Sequence, residues 1–255
     1  KGWAKRVSYK ENNKGATCKE IREFLNNSLK ESNAILNPVG ENVIDKLLSE
    51  ILNNAEDHSI HNEWYVNGVS YKEIVDGEPI IELNLGILNL GFSIAEGLSK
   101  SKEKNVDTIK EINEWYIRHY ALMEKKGDIC FTKDDLYTLY CLQEGISRLK
   151  YEDESRGRGT MNFIRAFITL GSFGEKNPQY KSHLNIISGK TIVNCDNKRK
   201  PYRKENTFFL SLNKDNDINL LPDKEYLKHT HQKFPGTFLE VKIYLNKTYF
   251  KEILP

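Results

Sequence analysis

Cysteine is scarce and unpatterned in this chain. Cys18, Cys130, Cys141 and Cys195 show neither a Cys-x-x-Cys pair nor paired-ligand spacing. That argues against a disulfide framework and suits reduced thiols with structural roles. No apolar run approaches the roughly 18 to 20 residues of a membrane span, and the lysine-rich start lacks the apolar centre of a signal peptide. A cytoplasmic location with no membrane partner is the expectation. Net charge is nearly absent too: 38 Lys and Arg against 36 Asp and Glu leave +2. Such a balance gives no electrostatic case for nucleic-acid binding by the whole protein. No Gly-x-Ser-x-Gly elbow, Walker-type loop or Rossmann fingerprint occurs. His58 with His61, or His229 with His231, lack the cysteine or carboxylate set that would complete a metal site.

The 255 residues, 38% hydrophobic and 29% charged, suffice for one large domain or two small ones. Residues 1–16 are polar and basic without periodicity and read as a tail or arm. Ile21, Phe24, Leu25 and Leu29 then mark a short helix over 17–30, with Thr17 as its cap. "NPVGEN" breaks the chain, after which Ile44, Leu47, Leu48, Ile51, Leu52 and Ala55 keep helical spacing through about residue 58. From Trp64 to Asn89 the texture turns aromatic and β-branched, with "NG" and "DG" punctuation, which predicts a hairpin followed by a buried strand. Helices follow at about 106–125 and from Thr132 to about Lys150, the second opened by a "TKDD" capping box. "DESRGRGT" reads as a loop and "MNFIRAFITLG" as a helix ending at Gly171. Four strand-like runs complete the chain: "HLNIISG", "TIVNCD", "NTFFLSLN" and "GTFLEVKIYL". The basic "DNKRKPYRKE" between them is a solvated turn, and the aromatic "NEWYIRHYALM" is core packing of an inserted helix.

One stretch carries more chemistry than packing needs. In "SEILNNAEDHS" (Ser49 to Ser59), Glu50, Asn54 and Asp57 cluster on one flank of the apolar arc, where the helix leaves the core. Glu50 and Asn54, four residues apart, are stacked neighbours. A carboxylate beside a carboxamide can orient a water and hold a hard cation.

This stretch resembles the Glu-x-x-x-Asn-Ala helix motif of the GHKL superfamily, the ATPases of gyrase, the ninety-kilodalton heat-shock chaperones, histidine kinases and MutL. The resemblance implies Glu50 as the water-orienting base, Asn54 as the magnesium ligand, and Asp57 and His58 near the nucleotide. The family's next motif is Asp-x-Gly-x-Gly after a strand, and "NLGFS" offers Asn89 and Gly91. Asn89 departs from the aspartate that receives the adenine amino group: its carbonyl still accepts, but its amide adds a donor and it carries no charge. Asn84 and Gly86, five residues earlier, are a second match, inside the apolar run rather than at its end. "SRGRGTMNFIRAF" resembles the glycine-rich box that closes the family's mobile lid and opens a helix. There Gly157 and Gly159 let backbone approach phosphates, Thr160 begins the helix, and Arg156 and Arg158 add charge. Gly236 and Thr237 match a final Gly-Thr whose threonine supports the adenine pocket. Together these motifs span about residues 41–245.

The resemblance implies a Bergerat-type α/β two-layer sandwich: a mixed sheet, helices on one face, and a helical insertion at about 100–150 near the lid. Residues 1–40 would be an arm and short helix, and 41–250 the ATP-binding domain. The function implied is an ATP- and magnesium-binding switch with slow hydrolysis, reading out to a protein partner or a homodimer. Protein kinase activity of the anti-sigma or histidine-kinase type, and a non-hydrolysing scaffold, are the alternatives. Fold alone does not choose among them.

Overall fold

The computed structural model describes residues 2–8, 14–31, 33–59, 63–147, 157–173 and 177–253. The elements run β1 (Gly2–Ser8), α1 (Lys14–Lys30), β2 (Ala34–Leu36), α2 (Pro38–His58), β3 (Glu63–Val75), β4 (Glu78–Leu90), α3 (Ile94–Lys100), α4 (Val106–Lys126), α5 (Lys133–Cys141), α6 (Gly159–Leu170), β5 (His183–Cys195), β6 (Tyr202–Lys204), β7 (Thr207–Phe209), β8 (Leu227–Leu245) and β9 (Phe250–Glu252). Five strands form one sheet in the order β1-β3-β4-β8-β5. Among the described residues the protein is thus an α+β fold with a five-stranded antiparallel sheet and six α-helices.

The sheet differs from the mixed one expected. β4 and β5 run in the same direction and are joined through the helical crossover, but β8 lies between them. Every neighbouring pair is therefore antiparallel. The β3–β4 hairpin closes on Asp76 and Gly77, both with positive φ (52° and 81°), the backbone that the "DG" pair favours.

Alternation on β4 sets the layers. Ile81, Leu83, Leu85, Ile87 and Asn89 are buried, whereas Glu82, Asn84, Gly86 and Leu88 are half-exposed on the other face. Polar pairs tile much of that open face, including Lys242 to Glu82 at 3.0 Å and Asn185 to Glu240 at 2.8 Å. Helix α2 packs its predicted stripe inward, with Ile44, Leu47, Leu48, Ile51 and Leu52 fully buried and Ala55 nearly so. Each of the larger side chains contributes about 1.5–3 kcal/mol of burial. The helix starts earlier than its apolar pattern: Pro38 takes the first turn and Asn37 Oδ1 accepts from Gly40 N–H, so "NPVG" is a helix start rather than a break.

Other boundaries also shift. Residues 2–8, expected to be part of a tail, form an edge strand on β3. Backbone pairing supplies that strand, and side-chain periodicity gives no sign of it. Thr17 is not the cap of α1 but a fully buried residue inside its first turns. Helix α5 stops at Cys141 instead of reaching about Lys150. Its Thr132 capping box with Asp135 is present, but beyond the helix Gly145 takes a positive φ of 85°, and Gln143 exchanges two buried hydrogen bonds with the backbone of Leu210. "HLNIISG" and "TIVNCD" are one strand, β5, irregular at Gly189. The basic 198–204 stretch enters the short β6–β7 hairpin. Among the described residues no helix is long and apolar enough to cross a membrane.

Candidate functional site

The sheet register builds one end of a cavity of about 390 Å³. Asn89 on β4 lies opposite Thr237 on β8, and Thr237 lies opposite Ser188 on β5. These three polar side chains stand in a row on the inner face of the sheet, and all are more than nine-tenths buried. Thr237 N–H donates to Asn89 Oδ1 at 3.0 Å, Asn89 Nδ2 lies 3.4 Å from Ala55 O on α2, and the Ser188 and Thr237 hydroxyls are 2.9 Å apart. Ser188 Oγ also accepts from Ile94 N–H, which fixes the start of α3 over the floor. Gly236 makes the row possible: its φ is 140°, and a β-carbon there would overlap the Asn89 carbonyl oxygen.

The other end of the cavity is charged. Glu50 and Asn54 stand one turn apart on α2, facing the start of α6. A β-carbon on Gly159 would lie 2.7 Å from Glu50 Oε2 and 4.0 Å from Asn54 Oδ1, so both oxygens converge on the point that glycine leaves open. Asn162 Nδ2 donates to Glu50 Oε1 at 3.3 Å, and Asn54 Nδ2 is 3.5 Å from Thr160 Oγ1. Helix α6 has no side-chain cap, so its first amides are free of intrahelical partners. Arg158 lies 3.9 Å from Glu144, and Gly145 N–H donates to Gly157 O at 2.9 Å, which ties the start of α6 to the segment after α5. Gly157 has a φ of 100° at this junction. The apolar walls come from α3, the end of α5 and α6, including Leu98, Leu142, Ile146 and Phe163. Burial pushes the Cys141 thiol in this wall up to about 12, so it stays protonated and uncharged.

Of the residues singled out in sequence, Glu50, Asn54, Asn89, Gly157, Arg158, Gly159, Thr160 and Thr237 all line this one cavity. Gly91 does not: its N–H donates to Pro235 O at 3.2 Å and ends the β4–β8 ladder. Arg156 lies outside the described residues, as do the side chains of Asp57 and His58. The structure separates the two candidate asparagines, because Asn84 points to the open face and donates to Glu82 at 2.8 Å, away from the cavity. Ser93, which lines the cavity, and Ser188, buried behind Thr237, were missed, although a serine in phase with Leu184 and Ile186 is a readable anomaly on an inward strand face. Among the described residues, no group of three or more His, Cys, Asp or Glu side chains gathers to hold a metal.

No family model matches the chain, and no curated protein or solved structure matches it.

Proposed function

We propose that this chain is a GHKL-type, ATP- and magnesium-binding domain with a Bergerat-type sandwich, and that it hydrolyses ATP slowly while acting as a conformational switch. One observation carries this reading. Residues from four segments far apart in sequence, Glu50 and Asn54, Asn89, Gly157 to Thr160, and Thr237, line a single cavity with a neutral floor and a charged mouth. A purine fits the buried, hydrogen-bonding end, and a triphosphate fits the uncapped start of α6.

The donors at the mouth suit magnesium, which takes oxygen ligands and shares them with substrate phosphates. Asn54 Oδ1 is the ligand assigned to it, with the Glu50 carboxylate beside it. When bound, the ion neutralises phosphate charge. The protein's own residues do the rest. Glu50 orients a water and accepts its proton, the backbone of Gly157 to Thr160 cradles the phosphates, and Arg158 adds a positive charge at the rim. The Glu144–Arg158 contact links that rim to the 196–226 connection, since Glu144 also accepts from Phe208 N–H at 2.7 Å. Through this link, nucleotide occupancy changes the surface offered to a protein partner or a second copy. Most of the segment expected to be the lid lies outside the described residues.

The test is Glu50→Ala. The variant is expected to bind a non-hydrolysable ATP analogue within a few-fold of wild type while phosphate release falls to background. Unchanged turnover would remove Glu50 from its role, and absence of any ATP binding by the wild-type protein would end the nucleotide reading.

A further inference from the structure

The floor of the cavity holds no charge. Glu50 is the single carboxylate among the described lining residues, and it stands five residues before Ala55 on α2, about 7.5 Å along the axis from the carbonyl that Asn89 faces. At the floor itself are Asn89 and Thr237, with Ser188 buried behind Thr237, all neutral.

The orientation of the Asn89 carboxamide is fixed by its neighbours. The Thr237 N–H needs an acceptor, so the atom 3.0 Å away is Oδ1. The other atom is then Nδ2, and a donor suits the Ala55 carbonyl 3.4 Å from it. A carboxamide has two acceptor sites on oxygen and two N–H donors. After these two contacts Asn89 retains one acceptor lone pair and one N–H for whatever enters. A carboxylate in its place would offer lone pairs only, and would face the Ala55 carbonyl with a repulsive contact.

A 6-aminopurine presents a donor at its amino group and an acceptor at the adjacent ring nitrogen. A 6-oxopurine presents the reverse, an acceptor at O6 and a donor at the ring N–H. A carboxylate facing the 6-substituent accepts from the amino group but repels O6, and that repulsion is how such a floor discriminates. The carboxamide, fixed as it is, meets either 6-substituent after a small in-plane shift of the base: Oδ1 accepts from the amino group, or Nδ2 donates to O6. We infer that Asn89 makes this site purine-ambivalent, so that it takes 6-oxopurine nucleoside triphosphates as well as ATP. The inference rests on the nucleotide-binding reading and specifies its substrate class.

Inosine triphosphate isolates the point at issue, because it carries the 6-oxo group without the 2-amino group of guanine. Dissociation constants for ATP and inosine triphosphate, measured with magnesium by calorimetry on the intact chain, are expected to agree within about tenfold. Asn89→Asp is expected to widen the ratio in favour of ATP by at least about tenfold, with a melting curve to establish that the variant folds. If that variant does not fold, the wild-type ratio still decides. ATP binding with inosine triphosphate more than tenfold weaker overturns the ambivalence and leaves the ATP site standing. Binding of neither nucleotide overturns both.

Discussion

At Gly159 the structure ties backbone to chemistry through a missing side chain. A β-carbon there would sit 2.7 Å from Glu50 Oε2. The obstructing atom is the free end of a carboxylate, so Gly159→Ala displaces Glu50 rather than the helix, and alanine also favours the start of α6 by up to about 1 kcal/mol. The variant is expected to melt within about 2 °C of wild type or slightly above it. On the proposed hydrolytic role of Glu50, the variant's phosphate release is expected to fall by at least about tenfold, because a small misplacement of a positioned group is costly. Melting curves and turnover on the same preparation check this, and wild-type turnover would show that Glu50 needs no fixed position. Residues of this kind were partly legible. Glu50 and Asn54 could be paired from sequence because a four-residue spacing on a helix fixes their neighbourhood. Ser188 could not be joined to Thr237, because their contact follows from the register of two strands 49 residues apart.

Elements meet at Asp135, which is fully buried and serves three of them. Its carboxylate accepts from Thr132 N–H at 2.8 Å to cap α5, accepts from Thr191 Oγ1 of β5 at 2.7 Å, and lies 3.2 Å from His229 Nδ1 of β8. Thr132→Ala removes the cap alone and is expected to cost about 1 kcal/mol. Asp135→Ala also strands the Thr191 and His229 partners and is expected to cost about 3 kcal/mol, a drop in Tm of roughly 6–12 °C. Urea denaturation of both variants separates the contributions, and equal costs would mean that the bonds to β5 and β8 add nothing. The capping box was readable as "TKDD" because it is local, whereas the tie to β5 and β8 was not, since it joins positions 56 and 94 residues away. The same division runs through the elements. α2, α4, α6 and the β3–β4 hairpin follow from periodicity and turn residues. Strand β1 and the antiparallel order depend on long-range backbone pairing that no side-chain pattern records.

Across the whole molecule, helices α4 and α5 meet the connection that precedes β8 at a buried histidine. His119 is 1% exposed, with Nδ1 2.5 Å from the Tyr140 hydroxyl. Burial, opposed by the nearby backbone of Ile218 and Leu220, holds its imidazole down at about 4, and the same burial pushes the Tyr140 hydroxyl upward. In the unfolded chain a histidine titrates near 6.5. Above that pH both states are neutral at this position, and His119 adds no pH dependence. Between about 6.5 and 4 the unfolded chain takes up a proton that the folded one refuses, so stability falls on acidification, by about 3 kcal/mol over the full window. Carboxyls held low in the fold, such as Glu96 beside Lys233, also lose stability in acid, so the wild-type curve alone is a sum. His119→Gln removes the histidine contribution and leaves the carboxyls. The variant is expected to be less stable than wild type at pH 7.5, with the gap closing by about 2–3 kcal/mol as the pH is lowered to 4.5. Urea denaturation at four pH values between these limits measures the gap. A gap independent of pH would show that His119 takes up its proton as readily in the folded protein as in the unfolded chain.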